Sequence, residues 1–497
     1  MILLFLHFFI IYFLFNPSAA TTIDEFASNH PYRVETIKMP EGLEAETGAI
    51  AFLPDGRLVA CFLRGEVMLY DHETRSWSLF ADGLHEPLGL MVISNSEILV
   101  MQRPELTRVK DTNGDGKADL YQTVTDDFGM TGNYHEWNYG PVQDYEGNLF
   151  ISLSTASEYG YIMKEVRGKL DTTTIVPGKP MQKYSAVPYR GWIMKLTPEG
   201  KLLPFASGFR SPNGLGFDQA GNLIVTDNQG DWVGTSKLYH VHQDHFYGHP
   251  ASLLWDKNWN NGDPSKLPVK ELDEMRTKAS ILFPHGIIGN SLSQPVLDNT
   301  NGKFGPFSGQ LFIGEMNQER IVRVMLEEID GIIQGACIPF IDGMNLRKGN
   351  NRLAFAPDGS LWTGQAQYGF VGDKGIQRII FNGEQPMDIY TMKLTANGFE
   401  LNFTQPVDEK SALNPENYNF RHYYYDYHLQ YGSDQYDLQE IAVSDVILSS
   451  DGKTVLISLT SLKEGYVYEL YLGDIKAKTG TPLANKLICY TVNKLKK

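Results

Sequence analysis

From about residue 45 to 385, short apolar runs recur in pairs, each pair split by a tight polar turn. The first pair is Ala49-Ile50-Ala51-Phe52 and Leu58-Val59, divided at Pro54-Asp55-Gly56. The second joins Leu88-Gly89-Leu90-Met91-Val92 to Ile98-Leu99-Val100, and the third runs from Asn138 through Glu146-Gly147-Asn148 to Leu149-Phe150. The fourth turns at Gly221-Asn222 between Leu215-Gly216-Phe217 and Leu223-Ile224-Val225. A degenerate fifth is Phe307 to Ile313, and the sixth turns at Asp358-Gly359 between Leu353-Ala354-Phe355 and Leu361-Trp362. Each unit reads as strand, hairpin turn, strand. Several gain a third alternating strand, such as Gly65–Tyr70 or Arg320–Met325. One such sheet cannot bury both of its faces, whereas a ring of them can. The pattern therefore predicts six blades, with an open sandwich array as the alternative. Long insertions at 154–190 and 251–303 belong on one face of the ring, where loops carry function.

After Pro386 the pattern changes. Phe399–Phe403, Val443–Leu448, Thr454–Leu459 and Tyr466–Leu472 read as strands of a small Ig-like β-sandwich. The predicted class is all-β: a six-bladed β-propeller over 21–385, then the sandwich over 386–497. The tyrosine-rich run Arg421–His428 is either a sugar-stacking surface or a packed strand, with packing favoured.

The chain opens on an apolar stretch, Ile2 to Phe15 with only His7 interrupting, followed by Pro17-Ser18-Ala19-Ala20. This predicts a secretory signal peptide over 1–20, cut after Ala20. The stretch is short of the roughly 20 residues that span a bilayer; an uncleaved anchor is the alternative. The expected location is exported, periplasmic or extracellular, with no integral membrane domain after cleavage. The 26 Tyr, 26 Phe and 47 Gly of the 497 residues favour strands and turns. A net charge of -16 argues against nucleic acid and against attraction to anionic membranes. Three cysteines, Cys61, Cys337 and Cys489, make no disulfide framework, and Cys61 reads as a buried small hydrophobe.

Two constellations point to chemistry. Asp111-Thr112-Asn113-Gly114-Asp115-Gly116-Lys117-Ala118-Asp119 places oxygen ligands Asp111, Asn113, Asp115 and Asp119 at calcium-loop positions, with the Lys117 carbonyl as a fifth. It predicts a structural Ca²⁺, against the alternative of a solvated acidic turn. The second constellation gathers at blade entrances: Asn133-Tyr134-His135-Glu136-Trp137, Gly208-Phe209-Arg210-Ser211-Pro212-Asn213, Asp227-Asn228-Gln229-Gly230-Asp231, Tyr247-Gly248-His249-Pro250 and Asn350-Asn351-Arg352. Entering loops converge on a propeller's axis, so these residues meet although distant in sequence. Together they suit a polar planar ligand or a sugar.

Gly-x-Arg-x-Pro-x-Gly, the strand pair after it, Gly230-Asp231 and Tyr247-Gly248-His249-Pro250 resemble the soluble glucose and sorbosone dehydrogenases. Those are six-bladed quinoproteins that bind pyrroloquinoline quinone and calcium. The resemblance covers about 45–385 and is strongest over 128–250. The whole chain is similar to an uncharacterised exported bacterial branch often fused to cytochrome domains. It implies that His135 takes the substrate hydroxyl proton and that Arg210 contacts the cofactor. Arg347, Lys348 and Arg352 are the candidates for holding the quinone carboxylates. Ser211 stands where the family carries Asn, the spacing from His135 to Gly140-Pro141 is shortened, and there is no Cys-x-x-Cys-His haem site.

Alcohol oxidation needs a base and a hydride acceptor. No side chain accepts hydride, so a cofactor is required. The function expected is oxidation of a sugar or polyol hydroxyl with a quinone, electrons passing to an external acceptor such as a cytochrome. The catalytic candidates are His135, Glu136 and Asp231; the cofactor candidates are Arg210, Asn213, Asp227, Asn228, Tyr247, Arg347, Lys348 and Arg352. Two other readings stand: a carbohydrate lyase or hydrolase using His135 with Glu136 or Asp231, and a non-catalytic carbohydrate-binding propeller.

Overall fold

The computed structural model describes residues 30–157, 167–176 and 182–497. The leader over 1–20 lies outside the described residues.

The chain is all-β. Six antiparallel units of four strands follow one another, five as separate sheets and the fifth in order as one half of an eight-stranded sheet. The first is built from Thr47–Phe52, Leu58–Phe62, Val67–Asp71 and Ser76–Ala81, in sequence order. The second begins at Gly89–Ser94, the third at Asn138–Gln143, the fourth at Gly214–Phe217, the fifth at Leu292–Leu297 and the sixth at Asn350–Phe355. The first strand of each sheet lies against the first strand of the next, and that of the sixth against that of the first. The arrangement is a closed, propeller-like ring.

The turn chemistry explains the repeat. Asp55 accepts the amide of Arg57, Asp144 that of Asn148, Asp218 that of Asn222 and Asp358 that of Ser360. A glycine with positive φ completes each of these turns, at Gly56, Gly147, Gly221 and Gly359. At the axis, strands approach backbone to backbone. A Cβ on Gly89 would stand 1.5 Å from the carbonyl oxygen of Gly140 in the next sheet, so only glycine fits there.

The ring is closed from the other end of the chain. The sixth sheet has three strands from 350–381, and its fourth is the N-terminal strand Tyr32–Thr36, paired from Tyr32↔Phe381 to Thr36↔Gln377. Tyr32 anchors that strand. Its ring packs on Phe304, Phe340 and Phe381, and its hydroxyl donates to the Phe304 carbonyl at 3.0 Å.

The fifth unit differs from its sequence reading. Its first strand is Leu292–Leu297, inside the expected 251–303 insertion, and its second is Leu311–Glu315. Ser293, Gln294 and Pro295 break the apolar run that would have marked the first strand. The same insertion supplies the outer strand of the fourth sheet, Ile281–Phe283.

Beyond residue 386 two four-stranded sheets face each other. One orders Ile389–Leu394, Gly398–Phe403, Thr454–Leu459 and Val443–Leu448; the other orders Leu487–Val492, Tyr466–Leu472, Tyr418–Tyr425 and Gln435–Ile441. Phe399 stacks on Phe420 across the core between them, with ring centroids 5.6 Å apart. The tyrosine-rich run is largely packing: Tyr423 is fully buried and Tyr427 is buried with its hydroxyl on the Gly248 carbonyl. The ring and this region share a sheet. Ile332–Asp342, the outer strand of the fifth sheet, pairs with Leu487–Val492, so eight strands run without a break. Cys337 and Cys489 face each other there as buried thiols, and Cys61 is buried in the first sheet. Among the described residues, no helix is long and apolar enough to cross a membrane.

Tyr32 gives a direct test of closure. Tyr32→Ala is expected to cost roughly 3–5 kcal/mol in urea unfolding, as for other large-to-small core changes. Tyr32→Phe, losing one hydrogen bond, is expected to cost about 1 kcal/mol.

Candidate functional site

The site is built on two buried carboxylates that follow a strand end. Leu223–Asp227 runs into the loop 228–235, and Asp227 accepts the backbone amides of Arg210 (2.9 Å) and Ser211 (2.6 Å). Four residues on, Asp231 accepts Arg210 Nε (2.9 Å), the Lys183 amide (2.8 Å) and His249 Nε2 (3.3 Å). Burial alone would raise the Asp231 carboxyl. His249, Arg210 and the Lys183 amide outweigh it and hold it well below the usual carboxylate range. Asp227 has weaker compensation, and burial keeps its carboxyl raised. The Arg210 guanidinium lies flat on Gly230, where a Cβ would come within 1.8 Å of Nε. The Gly-Asp pair at 230–231 thus has a mechanical role: the aspartate fixes Arg210 and the glycine makes room for it.

On the facing side, Asn133 Oδ1 accepts the amides of His135 and Ser157, and His135 Nδ1 is hydrogen-bonded to Ser157 Oγ. The imidazole sits among Tyr134, Trp137 and Phe370, with ring centroids at 3.9, 5.2 and 6.2 Å. Burial first, then the nearby cations Lys183, Arg210 and Arg103, push its pKa far below the ordinary 6.5. This environment favours the neutral ring.

Between these walls lies a cavity of about 520 Å³, where loops flanking the inner strands of the third to sixth sheets meet. Its basic groups are Arg210 and Lys183; its aromatic walls include Trp137, Tyr139, Tyr368, Phe370 and Tyr431. No carboxylate is among its described lining residues, although the chain carries a net charge of -16. Lys183 is buried, and its Nζ has no hydrogen-bond partner among the described residues. Burial, then Arg210, lowers its pKa well below the ordinary lysine value. Asn228 Oδ1 is also buried without a partner among the described residues.

Of the residues singled out in the sequence, His135, Arg210, Asn213 and Asn228 line this cavity. Asp231 and Asp227 stand behind Arg210 and position it. Arg352 lies beneath, at the axis. It donates to Asn213 Oδ1 (3.3 Å) and to the Leu88 carbonyl (3.1 Å), under the Tyr139 ring. Four candidates fall outside. Glu136 points away from His135 into a sealed pocket, where it accepts the Thr131 amide and faces Arg190 at 3.9 Å. Tyr247 stacks on Phe209, and its hydroxyl donates to the His240 carbonyl. Arg347 donates to the Lys374 carbonyl, and the Lys348 amide donates to Asp373. These two basic residues lie at the ring's sixth-sheet connection and do not line the cavity.

The expected calcium loop lies between the third and fourth strands of the second sheet, Leu106–Lys110 and Leu120–Thr125. Asp111, Asn113, Asp115, Lys117 and Asp119 form a relay of side-chain-to-backbone turns in the second sheet. Asp111 accepts the amides of Asn113, Gly114 and Gly116, Asn113 that of Asp115, Asp115 that of Lys117, and Asp119 that of Thr112. The oxygens are spent on successive amides along the loop rather than turned to one point. Among the described residues, no three His, Cys, Asp or Glu side chains gather as a metal site.

Lys183 carries no sign of its role in the sequence, since it lies in the 154–190 insertion outside any motif. Tyr431 was equally hidden. It belongs to the C-terminal region, yet it lines the cavity with its ring 5.5 Å from the Arg210 guanidinium. The segment is tied in by Trp232 N to the His428 carbonyl (3.1 Å) and Gly432 N to the Gly230 carbonyl (3.0 Å).

A closed ring of six sheets around a polar cavity is a scaffold for binding small molecules. The chain belongs to the family named DUF7133, a domain of unknown function, whose profile matches residues 70–363. No curated protein matches it. Among solved structures it is similar to an oxidoreductase described as a glucose dehydrogenase from Thermus thermophilus (18% identity, 70% of this chain and 100% of that one, TM-score 0.48). It is also similar to a PQQ-bound aldose sugar dehydrogenase from Streptomyces coelicolor (15% identity, 70% and 98%, TM-score 0.44) and to a streptogramin B lyase (12%, 71% and 98%, TM-score 0.38).

The buried His135 ring sets a pH dependence. Its pKa is lower in the folded than in the unfolded chain, so the unfolded chain binds the extra proton as pH falls below about 6.5. Stability is therefore expected to drop from pH 7 to pH 5, read as a fall in Tm. His135→Gln should flatten that slope.

Proposed function

We propose that this protein is a six-bladed propeller with an Ig-like sandwich at its C-terminal end. We further propose that it oxidises a sugar or polyol hydroxyl with pyrroloquinoline quinone at the cavity, as an exported enzyme passing electrons to an external acceptor such as a cytochrome. The carrying observation is the cavity's lining: two basic side chains, aromatic walls and no carboxylate among its described lining residues, in an acidic protein.

That lining fits a planar polycarboxylate. Arg210 is held rigidly from behind by Asp231, which leaves the outer guanidinium nitrogens for an anion. Lys183 Nζ and Asn228 Oδ1 are buried polar atoms without partners, the kind of groups a ligand satisfies. Bound, the quinone would supply the hydride acceptor that no side chain can.

The chain's own part is proton removal. His135 Nδ1 is engaged by Ser157, which leaves Nε2 to take the hydroxyl proton. Burial and the basic groups around it make the ring a weak base. An anionic ligand beside Lys183 and Arg210 reverses that field and raises the ring's basicity, so base strength arises together with cofactor binding. The lyase and hydrolase reading loses support, since Glu136 and Asp231 both lie outside the cavity lining.

Calorimetric titration with the quinone is expected to show one site, and the loaded protein to reduce a dye when given aldoses or polyols. Absence of both quinone binding and dye reduction overturns the proposal. Sugar binding without them favours the non-catalytic carbohydrate-binding reading. Gly230→Ala is expected to keep the fold, because Gly230 does not need positive φ, while driving Arg210 from its seat. Quinone affinity should fall by roughly tenfold or more, the scale of one charge-assisted contact.

A further inference from the structure

Lys183 is the least explained group in the molecule. Its side chain is buried, it lines the cavity, and its Nζ makes no hydrogen bond to any described residue. Buried ammonium groups are ordinarily paired, because an isolated charge at that depth is strongly disfavoured. Arg210, the other basic group lining the cavity, works against a charge on the amine, and its Nε is already committed to Asp231. Asp231 meets Lys183 through the backbone amide, not through the amine, and with Asp227 and Glu136 offsets burial only in part. Burial and Arg210 thus shift this amine toward its neutral form, and a neutral amine in a desolvated pocket is a nucleophile.

We propose that Lys183 captures carbonyl compounds: its Nζ condenses with the aldehyde or 2-oxo group of a small anionic molecule held in the cavity. The Nζ lone pair forms the C–N bond, and the carbonyl oxygen gains a proton to give a carbinolamine. Loss of that hydroxyl as water, with a proton from nitrogen, leaves the imine. Amine and carbonyl thus give imine and water, with no oxidant or reductant. Arg210 supplies the contact for the ligand's carboxylate, and the neutral His135 ring is the group at hand to shuttle the proton. The ligand class is a 2-oxo acid or an aldehyde acid, because Arg210 offers a cation for its carboxylate and no carboxylate is among the described lining residues. This inference stands apart from the quinone reading: failure to bind quinone leaves it intact, and failure to trap an imine leaves the quinone reading intact.

The test uses the full chain with glyoxylate and sodium cyanoborohydride at pH 7, then peptide mapping. An amine of ordinary basicity is neutral in only about one molecule in 10³ at that pH. Lys183 is therefore expected to be carboxymethylated at least about tenfold faster than the exposed Lys266 and Lys270. Arg210→Gln should slow labelling by glyoxylate but not by acetaldehyde, which has no carboxylate. Labelling of Lys266 and Lys270 with Lys183 untouched overturns the proposal. Equal rates at all three do the same. The wild-type map is sufficient on its own, so the result does not depend on how a Lys183 variant folds.

Discussion

Everything at the cavity depends on six first strands being held round one axis, and one antiparallel pairing holds them. Tyr32–Thr36 comes from the start of the ring and completes the sheet made by its end. Without that pairing the sixth sheet would present Gly375–Phe381 as an open edge, and the first and sixth sheets would be left with the contacts of their inner strands and loops, such as Thr47 Oγ1 on the Gly375 carbonyl. Because the backbones meet at distances only glycine permits, as at Gly89 and Gly140, small splaying at the closure would be felt at the axis. Arg352 and Asn213 sit at that axis and transmit the same geometry to the cavity floor.

The electrostatics follow a division of labour. Buried carboxylates surround the cavity but do not enter it. Asp227 and Asp231 are consumed in holding backbone amides and Arg210, and Glu136 is consumed in holding the Thr131 amide. What they leave at the surface of the cavity is positive or neutral. An acidic exterior with such an interior repels anions at long range yet satisfies them on arrival, a combination that favours ligands with a strong specific fit over casual counter-ions.

The ring was legible in the sequence because each hairpin turn repeats the same Asx-and-glycine chemistry, which leaves a mark at Asp55, Asp144, Asp218 and Asp358. It was least legible where polar residues and a proline interrupt a short inner strand, at Ser293–Pro295. Among site residues, those fixed by strand ends and tight turns were readable: His135, Arg210, Asn213, Asn228, and the supporting Asp231. Position relative to a strand end does not tell which way a neighbouring side chain points, so Glu136 was grouped with His135 although it faces a sealed interior. Lys183 and Tyr431 left no mark at all. Each reaches the cavity from a segment whose course is decided by tertiary contacts, and local spacing carries no record of those. The acidic loop at 111–119 is the reverse case. Its spacing is that of a cation loop, but the same spacing also satisfies a run of backbone amides.

The unbroken eight-stranded sheet has a consequence for how the chain can be divided. The line between ring and sandwich in the sequence, near residue 386, is not a seam in space, since Ile332–Asp342 is hydrogen-bonded to Leu487–Val492. Cutting the chain there would strip the partner from a largely buried, eleven-residue outer strand and leave it as an adhesive edge. The C-terminal sheets and the ring are therefore one hydrogen-bonded unit, and a shortened chain would need a new cap on the fifth sheet.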